Sequence, residues 1–568
     1  MDNPAPLPIG IEDYAEMVSS YYYVDKSLFI RDLLEFRTKV NLITRPRRFG
    51  KTLNLSMLKY YFEDTGNEEL NEERKRLFAD KLIAKAGEKY RKEMCSRPVI
   101  SLSLKSAKQA AWNESFAELA STVSDEFLRH EHIVIPRLTE RDRIQYTRFC
   151  DRTAEDREYN TCLKFLSRCL YIAYGKRVII LIDEYDAPLE NSYAKGFYQE
   201  SVSFIKSLFE SALKTNDYLE FAVLTGCLRV SKESIFTGLN HFKVFTVLNA
   251  PFSQYFGFLE EEVPPIMTAY HQEISFERVR EWYNGYRFGS ENVYNPWSVL
   301  GFIYDLTHEE TVFPKPYWIN TSSNDIIREM VREADPRRKE EIESLINGGF
   351  VEAVLHEEIT YDGIKETADN LWNFLLFTGY LKQADIFQKP SDFNIYLKLC
   401  IPNTEVLTIY VNTIQTWLND LTRTNDNALL YQALINGDAQ VIQDELNKVL
   451  FASISYNDYS AEGFYHGFMV GILSEFAGYS VVSNHEAGNG RPDILLRTIA
   501  RRDKAIVLEF KRAAEISDVK RKMSEAIEQI HTRKYAEGLM AELFQEVISY
   551  GIVFYKKECF VERAISAG

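Results

Sequence analysis

The segment at residues 178–184, Val-Ile-Ile-Leu-Ile-Asp-Glu, constrains the fold of this chain more than any other segment. Its aliphatic run is nearly continuous, and such a strand is typical of a parallel sheet that helices cover on both faces. Residues 40–44, 98–104 and 219–225 are strand-like as well, and segments with helical spacing separate them. This alternation predicts an α/β domain in the N-terminal part, with a parallel sheet flanked by helices.

The length of 568 residues favours about three domains, since single cores rarely exceed about 300 residues. We place their boundaries at 1–260, 261–450 and 451–568. The middle region is predicted to be mostly helical, and residues 375–401 have the helix-then-strand order of a winged-helix unit. The last region has the order helix, strand, strand, helix, strand, which predicts a second α/β domain.

Three features of the composition indicate a cytoplasmic protein without a membrane partner. No apolar run approaches the roughly 18 residues that a membrane span needs. The first residues lack the basic and apolar regions of a secretory signal. The seven cysteines form no CxxC pair and no Cys/His metal spacing, so reduced and mostly buried thiols are the simplest interpretation.

The formal net charge of −16 argues against a protein that coats nucleic acid non-specifically. Local basic clusters are still present. Residues 491–534 contain 12 lysines and arginines against 7 aspartates and glutamates, an excess of 12 − 7 = 5 positive charges. Solvated helix faces would explain such a cluster if it stood alone.

Residues 45–52, R-P-R-R-F-G-K-T, lie between a short apolar strand and a segment with helical spacing. A phosphate-binding loop needs this context, because the helix N-terminus supplies amide donors and the positive end of a dipole. Lys51 would then reach the β- and γ-phosphates of ATP, and Thr52 would place its hydroxyl on Mg²⁺.

The loop departs from the pattern G-x-x-x-x-G-K-[ST], because Arg45 stands where the first glycine is expected. We therefore expect a loop of altered width whose three arginines add positive charge. Within it, Arg47, Arg48, Phe49 and Gly50 are predicted to contact the nucleotide.

Asp183 and Glu184 end the buried strand at residues 178–182, as in a Walker B motif. Asp183 is predicted to hold Mg²⁺, and Glu184 to polarise the attacking water. The alternative is that the two acids merely start a turn.

Two further residues are candidates at the end of the next strand. Thr225 would lie beside the γ-phosphate, and Arg229 would act as a sensor or arginine finger, which requires a homo-oligomer if it acts in trans. Purely structural roles are as well supported for both. The long interval from Lys51 to Asp183 predicts a helical insertion over 105–174.

A second constellation lies near the C-terminus, where Pro492-Asp493 is followed by Glu509-Phe510-Lys511 in an apolar strand. Alternation places Glu509 and Lys511 on one face, which can meet Asp493 across a hairpin. The two carboxylates would hold Mg²⁺, and Lys511 would orient or activate a water against a phosphodiester. A solvated strand face is the alternative.

Three residues on flanking helices are weaker candidates. Glu462 would be an additional metal ligand, while Gln529 and Lys534 would contact the substrate backbone. Structural roles are about as well supported for Glu462 and Gln529.

With these motifs in place, the chain resembles the bacterial AAA-ATPase-like family that carries a C-terminal PD-(D/E)XK nuclease superfamily domain. The resemblance implies a P-loop NTPase domain, a restriction-endonuclease-like α/β domain, and Arg45 as a family trait. The similar segments are 8–10, 23–26, 45–52, 181–186, 224–226, 234–236, 238–240, 282–288, 491–493 and 509–511.

The aromatic residues of the middle region have two interpretations. They would form a stacking platform for bases, or they would pack in the core, which their Asn, Gly and Pro neighbours favour. These residues are Trp282, Tyr286, Tyr294 and Trp297.

The sequence thus predicts an ATP-regulated nuclease with ATP and Mg²⁺ as cofactors and nucleic acid as its partner. DNA is favoured over RNA, but the sequence does not choose between them. The alternative is a nucleotide-dependent switch or interaction protein with a nuclease fold that does not cut. A third hypothesis is an ATPase that remodels or loads nucleic acid, which the C-terminal domain only grips.

Overall fold

The structure is a computed structural model of the whole chain. It describes residues 4–229, 236, 242–272, 276–309, 312–318, 336–390, 392–423, 427–453, 462–473, 476, 479–483, 490–498, 503–541, 544–556 and 558–564.

The described α-helices are, in chain order, α1 Tyr14–Ser20, α2 Leu28–Phe36, α3 Lys51–Phe62, α4 Glu68–Arg76, α5 Leu82–Lys85, α6 Glu88–Arg91, α7 Trp112–Val134, α8 Glu140–Cys150, α9 Asp156–Tyr159, α10 Cys162–Tyr174, α11 Ala187–Lys195, α12 Tyr198–Phe209, α13 Val263–Ala269, α14 Phe276–Tyr283, α15 Pro296–His308, α16 Pro336–Ile346, α17 Ala368–Thr378, α18 Thr404–Arg423, α19 Ala428–Asn436, α20 Ala439–Ser453, α21 Glu462–Leu473, α22 Val519–Thr532 and α23 Tyr535–Ala541.

The described strands are β1 Val40–Thr44, β2 Val99–Ser103, β3 Val178–Asp183, β4 Leu219–Gly226, β5 Phe242–Phe245, β6 Phe258–Leu259, β7 Tyr286–Phe288, β8 Glu291–Tyr294, β9 Val351–Val354, β10 Lys382–Gln388, β11 Ile395–Cys400, β12 Tyr479–Ser483, β13 Ile494–Thr498, β14 Lys504–Arg512, β15 Glu546–Tyr555 and β16 Glu558–Ala564.

The chain forms two compact units. The first comprises Met1–Ser322 and Phe350–Leu407, and the second comprises Ser323–Gly349 and Thr408–Gly568. The three predicted domain boundaries stay predictions, since a domain can be smaller than a unit. No helix in the described part of the chain is both long and apolar enough to cross a bilayer. The described residues include all seven cysteines, and each is a free thiol.

The first unit is built on a five-stranded sheet of order β2-β3-β4-β1-β5, and every neighbouring pair is parallel. Strands β1 and β3 are buried at every position, which explains their lack of polar alternation. The predicted parallel α/β domain is confirmed, and the predicted insertion at 105–174 is helical, containing α7 to α10. Strand β4 separates β1 from β3, so that the end of β4 lies between theirs.

The middle region is predominantly helical, as predicted, and it also contains two small antiparallel sheets of orders β6-β8-β7 and β10-β11-β9. Helix α17 is followed by the β10–β11 hairpin, which is the order of helix and then strand predicted for this region, although the sequence pattern indicates no strand at β10. The winged-helix unit itself stays a prediction. Of its aromatic residues, Tyr286 and Tyr294 are buried, and Trp282 packs against the core of the first unit. Core packing, the simpler alternative, therefore accounts for these three.

The second unit contains a mixed five-stranded sheet of order β12-β13-β14-β15-β16, in which only β14 and β15 are parallel. This sheet confirms the predicted C-terminal α/β domain. One face packs against α19, α20 and α21 in a single core. The other face packs against α22 and α23.

Candidate functional sites

The loop between β1 and α3 has two residues with left-handed backbone conformations, Arg48 at φ 71° and Gly50 at φ 79°. Glycine adopts this conformation without strain, whereas a residue with a Cβ is held there at a cost of roughly 1–3 kcal/mol. Backbones that alternate between right- and left-handed residues turn successive N–H groups toward one point and form anion-binding concavities. The strain at Arg48 therefore supports the phosphate-binding loop predicted here.

Lys51 begins α3, and its side chain is buried against the inner side of the loop. Its Nζ donates to the carbonyl oxygens of Arg45 at 2.9 Å and Pro46 at 2.8 Å, and it lies 3.7 Å from the Sγ of Cys227. These contacts fix the ammonium at the N-terminus of α3, where the dipole already favours an anion.

The ends of β1, β4 and β3 bring three predicted site residues together at the carboxylate of Asp183. Thr52 donates its hydroxyl to Oδ2 at 2.6 Å, and Thr225 donates its hydroxyl to Oδ1. Strand order explains the meeting, because Thr225 ends the strand between the loop and Asp183. Ligands of open α/β sheets bind at such carboxyl ends.

Glu184 lies beside this cluster, half-buried, with a left-handed φ of 49°. It lines a cavity of about 290 Å³ together with Lys51 and Thr52. This cavity combines charged residues of the loop with apolar residues from three other segments, and it is close to the lower limit of about 300 Å³ for small-molecule pockets. Its apolar wall includes Pro8, Ile9, Val24, Phe258, Trp297 and Leu300.

Arg47 and Arg48 also line this cavity, in different environments. The guanidinium of Arg47 is paired with both carboxylate oxygens of Glu190, at 2.5 and 2.6 Å. Arg48 is exposed and stacks over the ring of Trp297, 4.2 Å from its centroid. Both cations therefore lie where phosphate charge would be expected, and Trp297 belongs to the cavity wall rather than to the core.

The structure corrects the expectation that all three loop arginines add charge to the cavity surface. The side chain of Arg45 is fully buried, because it turns into the core, where it donates to the carbonyls of Thr44 and Phe245. Phe49 is fully buried as well, with its ring 4.9 Å from that of Phe288. Phe49 thus anchors the loop to the core.

Arg229 lies away from the loop contacts. Its guanidinium is 3.2 Å from Glu357 and 2.6 Å from Glu358, and it is absent from the cavity lining. Its proposed action on the nucleotide stays a prediction.

Asp186, which the sequence analysis did not single out, is a buried carboxylate. It accepts hydrogen bonds from the backbone N–H groups of Cys227 at 2.8 Å and Leu228 at 2.9 Å. Burial raises its pKa to about 6. A Cβ on Gly226 would come within 2.6 Å of its Oδ1, so glycine is required there. Asp186 therefore fixes the chain that follows Thr225, and its position three residues after Asp183 was the available signal.

In the second unit, β13 and β14 pair antiparallel with Ile494 opposite Leu508. Asp493 immediately precedes this paired stretch, and its Oδ2 accepts a hydrogen bond from the N–H of Phe510 at 2.7 Å. The predicted meeting of Asp493 with the Glu-x-Lys strand is therefore present. Glu509 is 1% exposed, and the Nζ of Lys511 lies 3.0 Å from its Oε1.

Tyr535, which we did not single out in the sequence, lies at this second site. Its hydroxyl donates to the carbonyl of Arg491 at 3.1 Å, two residues before Asp493. Burial raises the pKa of Tyr535, and the nearby carboxylates of Glu509 and Asp493 add to the effect. Gln529, predicted to contact substrate, hydrogen-bonds to the Tyr535 side chain.

Glu462 begins α21, but its side chain lies outside the described residues. Among the residues that the structure describes, no three His, Cys, Asp or Glu side chains are gathered as a metal site. The described donors at the second site are thus the carboxylates of Asp493 and Glu509.

Several cations of the basic stretch at 491–534 are paired with acids that lie within a few residues of them in the chain. Arg521 lies 2.8 Å from Asp518 and 2.6 Å from Glu525, and Lys534 lies 3.0 Å from Glu537. The alternative of solvated, locally paired charges therefore accounts for Arg521 and Lys534.

Comparison with known proteins agrees with the two-part organisation. Residues 8–236 match the family described as predicted AAA-ATPase, and residues 460–564 match the PD-(D/E)XK nuclease superfamily. An "uncharacterized protein in vnfD 5'region" of Azotobacter chroococcum mcd 1 is 28% identical over 330 residues. The alignment covers 58% of this chain and 56% of that protein, so this chain spans about half the length of its relative. The chain therefore carries an N-terminal domain similar to predicted AAA-ATPases and a C-terminal domain similar to the PD-(D/E)XK nuclease superfamily.

Proposed function

We propose that the N-terminal domain binds ATP with Mg²⁺ and hydrolyses it. The observation that carries this proposal is the carboxylate of Asp183, which accepts hydroxyl hydrogen bonds from both Thr52 and Thr225. Lys51 would hold the β- and γ-phosphates, and Glu184 would orient the attacking water. Thr52 and Asp183 offer the hard oxygen donors that Mg²⁺ prefers, and would hold the ion. Bound Mg²⁺ would neutralise phosphate charge.

ATP binding is tested by titrating the full-length protein with ATP and Mg²⁺ and by measuring phosphate release. Glu184→Gln should bind ATP as the wild type does and release phosphate at least about a hundred-fold more slowly, since it removes the group that polarises water. Glu200→Gln, at an exposed glutamate of α12, is the control and should release phosphate as the wild type does. Phosphate release that persists unchanged in Glu184→Gln would contradict the assigned role.

We propose further that the C-terminal domain cleaves phosphodiesters of nucleic acid in a metal-dependent reaction. Asp493, Glu509 and Lys511 meet on two adjacent strands, and this geometry supports the proposal. The two carboxylates are suitable ligands for Mg²⁺ or Mn²⁺ and would hold one such ion. Lys511 would orient or activate a water near the bound phosphate.

Cleavage is tested on single-stranded and double-stranded DNA and on RNA, with Mg²⁺ or Mn²⁺. Lys511→Ala should lower the cleavage rate by at least about a hundred-fold, as expected when a group that orients or activates the attacking water is lost. Lys448→Ala, at an exposed lysine of α20, is the control and should cleave normally. Equal rates for wild type and Lys511→Ala would contradict the nuclease assignment.

The second candidate is a nucleotide-dependent switch whose nuclease fold binds a partner without cutting. Two observations favour this alternative, Arg45 at the position where the phosphate-loop pattern has its first glycine and the net charge of −16. Tight ATP binding with no phosphate release and no cleavage under any of these metals would support it.

A further inference from the structure

Arg45 is a fully buried arginine whose charge is opposed by no carboxylate. Its Nη1 donates to the carbonyl oxygens of Thr44 at 2.8 Å and Phe245 at 2.9 Å. The guanidinium carbon lies 5.2 Å from the ring centroids of both Phe256 and Phe288. Among the described residues, no Asp or Glu lies within ion-pair distance, and Nε and Nη2 have no hydrogen-bond acceptor.

Burying this guanidinium costs free energy of folding, because the ionised group loses its hydration and no carboxylate beside it compensates for the loss. Two carbonyl dipoles and two aromatic faces recover only part of that loss. Burial lowers the pKa of Arg45 to about 9, so the guanidinium still carries its charge at neutral pH. A hydrophobic side chain would fill the same space without this cost, so the charge requires a reason.

The position of Arg45 supplies that reason. Its own carbonyl accepts the hydrogen bond from the Nζ of Lys51, so its backbone forms part of the phosphate-binding loop. The ring of Phe288 contacts both the guanidinium of Arg45 and the ring of Phe49 in the loop. The positive charge therefore lies on the core side of the loop, where bulk water does not screen it.

We propose that Arg45 is a specificity determinant for polyphosphate, a buried cation beneath the loop that a bound nucleoside triphosphate neutralises. The inference rests on the proposed function, in which the loop binds nucleotide phosphates. The electrostatic attraction between the Arg45 guanidinium and the phosphates acts through a poorly screened medium. The attraction therefore grows with the negative charge of the ligand. The site consequently binds ATP more tightly than ADP, and ADP more tightly than AMP. These differences in affinity are larger than the direct contacts of the loop with each phosphate would produce alone.

Two variants of the full-length protein separate charge from packing. Arg45→Lys keeps the charge and loses the planar fork, whereas Arg45→Gln removes the charge and keeps an amide donor for the carbonyls. Affinities for ATP, ADP and AMP are measured by calorimetry at one salt concentration. Arg45→Gln should weaken ATP binding about ten-fold, or about 1.4 kcal/mol. ADP binding should weaken less and AMP binding hardly at all, while Arg45→Lys should stay within about three-fold for all three ligands.

An equal loss of affinity for the three nucleotides in Arg45→Gln, or no loss at all, would overturn the role of Arg45 and leave ATP binding intact. A wild-type protein that binds none of them would contradict the proposed function itself. Thermal unfolding without nucleotide provides the second measurement. Arg45→Gln should be at least as stable as Arg45→Lys, because it no longer buries a charge, so an unfolded Arg45→Gln beside a folded Arg45→Lys would overturn the proposal.

Discussion

Glu405 is a buried acid without a cationic partner among its described contacts. Ser298 donates its hydroxyl to the carboxylate at 2.8 and 2.9 Å, and the N–H of Trp318 donates at 2.9 Å. Burial raises the pKa of Glu405 from 4.5 to about 7. The folded state therefore holds a proton that the unfolded chain releases more readily. This contribution to stability is complete below pH 4.5 and is lost as the pH rises through 7, with a magnitude of about 3 kcal/mol.

We predict that Glu405→Gln flattens this part of the pH dependence, because the amide cannot titrate. Urea unfolding at pH 5, 6, 7 and 8 measures the free energy of unfolding of both proteins. Between pH 5 and 8 the free energy of unfolding should fall more for the wild type than for the variant. This comparison does not depend on which of the two proteins is more stable at any single pH. Parallel pH profiles would show that Glu405 does not titrate in this range. Asp186, whose pKa is also raised, leaves some dependence in both proteins.

The sequence correctly predicted those residues of the first site whose spatial neighbours are determined by the order of the strands in the sheet. Asp183 and Thr225 stand at the ends of β3 and β4, and Lys51 follows the end of β1 across the loop. Parallel strands bring such ends together. The sequence could not predict the environment of Arg45, because its acceptor Phe245 lies 200 positions away along the chain. Tyr535 was missed for another reason. Its hydrogen-bond partner is a backbone carbonyl, which no pattern of side chains in the sequence reveals.

Among the elements, the buried strands were predictable, whereas of the edge strands β2 was predicted and β5, β10 and β16 were not. Strand β3 is apolar at every position before Asp183, so its sequence alone identifies it. Strands β5, β10 and β16 pair with one neighbour each, and their side chains are partly exposed. Edge strands tolerate polar residues on both faces, which removes the alternation that identifies a strand.

Helix α20 lies in the region predicted as the middle domain, yet its side chains support the C-terminal sheet. Asn447 donates to the carbonyl of Cys559 at 3.1 Å and accepts from its N–H at 2.7 Å. Leu446 is fully buried in the core that contains Phe510 and Phe554. These contacts favour a domain boundary before α19 rather than after residue 450.

We therefore predict that Leu446→Ala destabilises the C-terminal domain by about 2–5 kcal/mol, the usual cost of a cavity in a packed core. Leu429→Ala is the matched control, because that leucine is 58% exposed on α19 and should lose less than about 0.5 kcal/mol. Chemical unfolding of each full-length protein measures the difference. Equal stability of the two variants would place α20 outside the C-terminal core.

At the scale of the whole molecule, α18 connects the two compact units along the chain. It begins in the first unit, where Glu405 occupies its first turn, and it ends in the second unit. Hydrogen bonds link that first turn to the nucleotide loop, because Trp318 donates its N–H to Glu405 and its Nε1 to the carbonyl of Arg47 at 3.3 Å. A change in the loop on nucleotide binding would therefore reach the start of α18 through Trp318.

We predict that Trp318→Phe weakens the effect of ATP on cleavage while ATP binding itself changes little. Phenylalanine keeps a ring against Tyr380 but cannot donate to the carbonyl of Arg47. One hydrogen bond is worth about 1 kcal/mol, so the ratio of cleavage rates with and without ATP should move toward unity by roughly five-fold. Trp282→Phe, at a half-buried tryptophan in the same unit, is the control and should keep the wild-type ratio. An unchanged ratio in Trp318→Phe would show that the loop influences the second unit by another route, if at all.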